Sequence, residues 1–287
     1  MTKQISPLRQ RMIDDMTIRN MSPNTQKIYI YAVANFSAFH RRSPDKLGPE
    51  DIRDYHLHLV SRNLKPTTIN PIMGALRFFY GTTLGQKQVV DQIPYARRAD
   101  TLPAVLSREE VERLLKTVRN LKMRTAFITI YAAGLRVSEL VALTSRDIDS
   151  ARMVIAIRHG KGGKDRYVML SEQLLAILRD YWKRTKPPHW LFPGPDPSQP
   201  ITTRSLQRAC RAAAEAAGLD KNVTVHTLRH SFATHLLEQR VDIRVIQGLL
   251  GHRNINSTTR YTRVAVDTIR QIQSPLEQLN IESPPPA

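Results

Sequence analysis

The sequence predicts a mainly α protein with one small β element, built as an amino-terminal helical domain and a larger, mixed α/β but mostly helical domain. Three observations carry that expectation. Apolar residues recur at three- and four-residue steps through most of the chain. Ser, Pro and Gly punctuate those stretches at helix starts and stops. One stretch, "RMVIAIRHGKGGKDRYVMLS" (152–171), changes to period two, with β-branched residues on both sides of a glycine-rich turn.

The elements follow in order. "SPLRQRMIDDMTIRNM" (6–21) carries Leu8, Met12, Met16 and Ile18 or Met21 at helical spacing. "SPNTQKIYIYAVANFSAFHRR" (22–42) opens on a Ser22 cap with Pro23 in the first turn. Its Ile28, Tyr31, Val33, Phe36 and Phe39 are expected to form one broad apolar stripe. "GPEDIRDYHLHLVSRN" (48–63) offers Ile52, Tyr55, Leu59 and Val60 to the core, and "KPTTINPIMGALRFFYGTTLG" (65–85) gives a fourth helix bent at Pro71. The aromatics Phe36, Phe39, Phe78 and Phe79 read as core packing. Residues 1–85 are thus expected to be a four-helix domain, and 86–102, which holds Pro94 and the Arg97–Arg98 pair and is followed by Pro103, a linker.

The second domain is expected over 103–280, with 281–287 a disordered tail. It opens on "LSREEVERLLKTV" (106–118), where Ser107 and Glu110 make a capping box. Helices are expected across 123–150, broken near Gly134, followed by the strand–turn–strand. "SEQLLAILRDYWKRT" (171–185) is helical, the proline-rich 186–202 is loop, and helices are expected over 202–219, 224–240, 242–254 and 257–273.

Composition narrows the function. Lys plus Arg number 43 against 25 Asp plus Glu, a formal net charge of +18. A protein so basic usually meets a polyanion, and nucleic acid is the commonest. Membrane surfaces are the rival, but the arginines run the length of the chain instead of crowding one amphipathic segment. Apolar runs such as "AFITIYAAGL" (126–135) fall well short of the roughly 20 residues a bilayer span needs. No secretory signal is recognisable. The single cysteine, Cys210, excludes an intramolecular disulfide framework and argues against a thiolate metal site. The expected location is cytoplasmic, bacterial in type and nucleoid-associated.

Five short stretches hold residues that packing does not demand. "AAGLRVSEL" presents Arg136, "RHGKGGKDR" Lys161, "HTLRHSFATHLL" His226 and Arg229, "LLGHRN" His252, and "TTRY" Tyr261. His226 and Arg229 are three apart and share a helix face. Each residue has a plainer reading: Arg136 as an ion-pair partner of Glu139, Lys161 as a solvated turn lysine, Tyr261 as a packing tyrosine. As a set they suit metal-free phosphoryl transfer. Two guanidinium groups can hold the non-bridging oxygens of a phosphodiester without a divalent ion. A tyrosine hydroxyl can attack phosphorus and keep the bond as a phosphotyrosine. A lysine can protonate the leaving oxygen, and histidines can exchange protons near neutral pH. A zinc site on His226, His230 and His252 lacks the "HExxH" glutamate and any nearby cysteine, so neither metal nor cofactor is expected. His230 and His235 are read as structural or surface residues.

In that order, "GLRVSEL", "GKGGKDR", "HTLRHSFATHLL", "LLGH" and "STTRY" resemble the signature of the tyrosine recombinases, also called the phage integrase family. The resemblance covers nearly the whole chain and is closest to the simple two-domain chromosome-dimer resolvases and small mobile-element recombinases. It implies a SAM-like core-binding domain followed by a catalytic domain, clamped around duplex DNA. It implies Arg136, Lys161, His226, Arg229 and His252 around a Tyr261 nucleophile that cuts and rejoins DNA through a 3'-phosphotyrosyl intermediate, without metal or ATP. Inverted-repeat sites, a homo- or heterotetramer and exchange of a carboxy-terminal helix between protomers also follow from it. No amino-terminal arm-binding domain and no integron-type insertion are expected. Lys164 and Arg166 are read as DNA-backbone contacts. A type IB topoisomerase and an inactive DNA-binding accessory protein are the alternatives. Among recombination roles, a mobile-element recombinase is favoured.

Overall fold

The computed structural model describes residues 5–97, 102–158 and 165–251. The chain divides into two units, Met1–Asp100 and Thr101–Ala287.

The amino-terminal unit is built on α1 (Pro7–Ile18), α2 (Pro23–His40), α3 (Pro49–Ser61) and α4 (Pro66–Phe78). Each begins with proline, whose fixed φ suits the first helical turn and whose missing N–H has no partner to lose there. Ser6 and Ser22 cap the first two through their side chains, as the sequence suggests for Ser22. Met12, Met16, Phe36, Ile52, Tyr55, Leu59, Met73, Leu76 and Phe79 form the core. The buried face of α2 is narrower than its apolar content. Val33 and Phe36 are buried, but Ile28 and Phe39 are exposed and Tyr31 is 70% exposed. Tyr31 lies about half a turn around the helix from Val33, so a helix packed along one side leaves it in solvent. Val60, also expected inside, is exposed, and of the alternatives Ile18 and Met21 it is Met21 that packs against the core while Ile18 is exposed.

Pro71 sits within α4 as expected, and the helix runs on through one π turn at Phe79–Thr83. The stretch expected to be linker begins instead with a short helix, α5 (Lys87–Asp91), and Val89 and Ile93 enter the core. Asn70 makes two hydrogen bonds with the Ala96 backbone, and Arg77 donates to the Val90 and Ile93 carbonyls. These side-chain anchors on α4 are non-local, so no periodicity within 86–97 announces them.

The second unit starts at α6 (Arg108–Thr117), closed by the Ser107–Glu110 capping box. Then come α7 (Leu121–Ala133) and α8 (Val137–Val141). A three-stranded antiparallel sheet of order β1-β2-β3 joins β1 (Ile148–Asp149), β2 (Val154–Ile157) and β3 (Arg166–Met169). Ile155 pairs with Val168 and Ile157 with Arg166. β1 was expected to be helical; two residues are too few to show a period of their own. α9 (Glu172–Thr185), α10 (Thr203–Ala216), α11 (Val225–Glu238) and α12 (Ile243–Leu250) complete the unit. Phe127, Ile130, Ile155, Val168, Leu178, Phe192, Leu206 and Leu228 share its main core. Phe232, Ala233, Ile246 and Leu250 make a second cluster where α11 meets α12. The helix expected over 257–273, the turn at 159–164 and the tail lie outside the described residues.

Candidate active site

The site begins at the end of α7. Gly134 caps that helix in the left-handed conformation, φ +62°, where glycine carries no steric penalty. A Cβ at Gly134 would also run into the Phe232 ring of α11. This close approach brings α11 against the α7–α8 corner. Two residues later Arg136 sits in extended conformation as the N-cap of α8, and Glu139 reaches back so that its Oε2 accepts from the Arg136 backbone N–H at 2.8 Å.

Glu139 is where the side chains converge. Arg136 Nη1 donates to Glu139 Oε1 at 2.7 Å. Arg166, from the first position of β3, donates Nη1 to Oε1 and Nη2 to Oε2, both at 2.8 Å. Arg229 Nη1 lies 3.7 Å from Oε2. Burial by itself would push the Glu139 carboxyl up, but hydrogen bonds from Arg166 and the Arg136 backbone outweigh it and hold the group at about 2. One ionised carboxylate therefore sits among three guanidinium groups, an excess of positive charge suited to an anion.

The same three arginines finish α12. Arg166 Nε donates to the Leu249 carbonyl at 2.9 Å, Arg229 Nη2 to Leu250 at 2.6 Å and Arg136 Nη2 to Gly251 at 3.0 Å. Cations there also face the negative end of the helix dipole. Arg229, only 3% exposed, further donates to the Gly134 carbonyl at 2.6 Å. Its burial is tolerable because carbonyls and a carboxylate surround it.

His226, in the first turn of α11, is exposed at the same corner. Partial burial of the ring, then Arg229 and Arg136, lower its pKa, and Glu139 opposes them only in part. The imidazole is thus biased towards the neutral form that can accept a proton. His226 and His230 stack at a centroid distance of 6.1 Å. His235 is buried with Nδ1 2.8 Å from the Tyr131 hydroxyl, a structural role as expected. Among the described residues no group of three His, Cys, Asp or Glu could hold a metal.

Arg136, His226 and Arg229 are therefore brought to one corner. Lys161, His252 and Tyr261 lie outside the described residues, as does Lys164. The reading of Arg166 as a DNA-backbone contact is corrected: its side chain is 12% exposed and engaged by Glu139 and Leu249. Glu139 was visible only as a plain ion-pair partner; its position three residues after the N-cap was the available signal. A second feature escaped sequence reading. Arg204, Arg208 and Arg211, on one side of α10, line an open cleft of about 440 Å³ together with Val137, Thr224 and His226. Their spacing of four and three was legible; the proximity of α10 to His226 was not.

The phage integrase family model matches residues 104–267, and that of the phage integrase N-terminal SAM-like domain matches 8–89. A Sinorhizobium fredii protein named as an integrase/recombinase is 46% identical over 99% of this chain and 93% of its own. Tyrosine recombinase XerA of Thermococcus kodakarensis is 34% identical over 90% of this chain and 91% of its own. Among solved structures, the XerA recombinase crystal structure covers 94% of this chain and 100% of its own at 29% identity, TM-score 0.54. The XerH recombinase bound to palindromic difH substrate covers 92% and 83%, with 22% identity and TM-score 0.72, a likeness of fold. No helix among the described residues is long and apolar enough to cross a membrane. Family models spanning both units, and relatives aligned nearly end to end, make this chain a member of the phage integrase family, a tyrosine-type site-specific recombinase.

Proposed function

We propose that the chain cuts and rejoins duplex DNA at inverted-repeat sites, with Tyr261 as nucleophile. The observation that carries this reading is the meeting of Arg136, Arg229 and His226 beside one buried carboxylate. Two guanidinium groups there stabilise the charge that grows on the non-bridging oxygens as phosphorus becomes pentacoordinate. Tyr261 forms a 3'-phosphotyrosyl bond and releases a 5'-hydroxyl, to which Lys161 gives a proton. His226 and His252 hydrogen-bond the phosphate and assist proton movement. The partner strand's 5'-hydroxyl then attacks the phosphotyrosine and reseals the backbone; no ATP or metal enters.

Net charge and the arginine-lined cleft on α10 support duplex DNA as the partner, as do neighbours whose structures are described as bound to recombination sites. Two sites are joined by four protomers, of one kind or two, each lending its carboxy-terminal helix to a neighbour. The amino-terminal unit, with 86–97 packed into it, binds DNA, and 103–280 carry the chemistry. The protein works in the bacterial cytoplasm on the nucleoid, as a mobile-element recombinase.

Covalent capture tests the reading. Wild type and Tyr261→Phe are expressed, cells are denatured without protease, and protein-linked DNA is sequenced. Adducts in wild type alone, clustered at a short inverted repeat, are expected. Adducts in neither, with DNA binding intact, would refute the assignment of Tyr261.

A further inference from the structure

We infer that Arg166 is a positioning residue: by taking both oxygens of Glu139 it keeps Arg136 and Arg229 available to an incoming phosphate. The inference rests on the reading that those two arginines hold the scissile phosphate. A buried carboxylate beside several guanidinium groups is claimed by whichever can meet it with a two-pronged fork. Arg166 does this from β3 with two 2.8 Å bonds, and its remaining Nε is fixed on the Leu249 carbonyl. Arg136 reaches only Oε1 with its side chain, and Arg229 stands 3.7 Å from Oε2, beyond hydrogen-bond length.

Arg166 gives one N–H from each of its three nitrogens to Glu139 or Leu249, and its two-pronged hold on the carboxylate is what sets it apart from Arg136 and Arg229. Its effect is indirect. With Arg166 present, three cations share one anion and two positive charges remain in excess. Without it, Glu139 draws Arg136 or Arg229 into the vacant fork, and one phosphate ligand is spent on the protein's own carboxylate. β3 also follows directly on the segment that carries Lys161, and Leu249 stands three residues before His252. Arg166 thus ties the strand, the α8 cap and the end of α12 to the same carboxylate.

A double-mutant cycle separates this role from simple structural support. The full-length chain, Arg166→Gln, Glu139→Gln and the double variant are compared in single-turnover cleavage of a duplex carrying the captured site. Arg166→Gln is expected to slow cleavage by about tenfold or more while changing the Kd for that duplex by less than about threefold. In the Glu139→Gln background the same change is expected to cost less than about twofold, since no carboxylate remains to be occupied. Arg166→Lys keeps the charge but not the fork, and should stay about tenfold slow; it replaces Arg166→Gln in the cycle if thermal melts show that variant unfolded. Equal factors in both backgrounds, or full activity in Arg166→Lys, would overturn the inference.

A second readout needs no chemistry on DNA. Inorganic sulfate is titrated against the arginine side-chain NMR signals. Shifts at Arg136 and Arg229 in wild type, weakened about tenfold in Arg166→Gln, are expected; equal affinity in the two would overturn the inference. If wild type forms no adduct yet shows this sulfate difference, the proposed function falls and the role of Arg166 stands. Adducts with an additive cycle give the reverse result.

Discussion

Replacing Glu139 by Gln removes a carboxylate that three buried or nearly buried arginines surround, and its effect on stability follows from the carboxyl's environment. The group is held at about 2 against an ordinary 4.5. At about 1.4 kcal/mol per unit, the ionised form stabilises the fold by about 3 kcal/mol at pH 7. The sign is that of a depressed carboxylate: between pH 2 and 4.5 the unfolded chain binds more protons. The contribution is therefore complete above pH 4.5 and is lost as pH falls through 2, with less than about half remaining at pH 3. Urea unfolding of both proteins from pH 7 to pH 3 tests this. The only two tryptophans, Trp182 and Trp190, lie in the second unit, so their fluorescence follows the unit that contains Glu139. A gap of about 3 kcal/mol at neutral pH that shrinks by more than half at pH 3 is expected. A gap of the same size at both ends, or none at pH 7, would refute the electrostatic account.

Gly134→Ala combines a left-handed backbone with a Cβ against the Phe232 ring, and should destabilise the second unit by about 2–5 kcal/mol; denaturant melts would expose a smaller effect. Arg229→Lys loses the paired contacts to the Gly134 and Leu250 carbonyls. Adduct formation should fall about 100-fold or more with DNA affinity nearly unchanged, which gel-shift and adduct assays on the same duplex compare. His226 is held neutral below its ordinary 6.5, so the acid limb of the cleavage rate should lie below pH 6.5. Arg136→Gln removes one nearby cation, and residual cleavage should show that limb displaced to higher pH; a limb that stays put would count against the assignment.

Local chemistry made much of this fold readable. Ser–Pro openings, the Ser107–Glu110 box and the period-two run around "GKGG" are signals within a few residues of the elements they specify. What sequence reading missed depended on partners far along the chain. Tyr31 is apolar enough for a core, and only the arrangement of neighbouring helices leaves it in solvent. Residues 87–97 join the first unit through Asn70 and Arg77, about 20 residues upstream. In the site, Arg136, His226 and Arg229 were legible from motif and spacing. Arg166 was not, because its partner Glu139 lies 27 positions away and the basic residues around it look alike as letters.

The end of α12 has a consequence for how this sequence can drift. Its last three carbonyls are gripped by arginines from three separate elements, and a carbonyl is the same whatever side chain stands beside it. Solvent-facing positions of α12, such as Val245, are thus free to change identity. Length is another matter. One inserted or deleted residue would turn the helix end by about 100° and move all three carbonyls away from their donors at once. Here the gene should accept substitutions readily and reject single-codon insertions, and a chimaera that imports a foreign α12 should work only when the imported helix stops on the same residue.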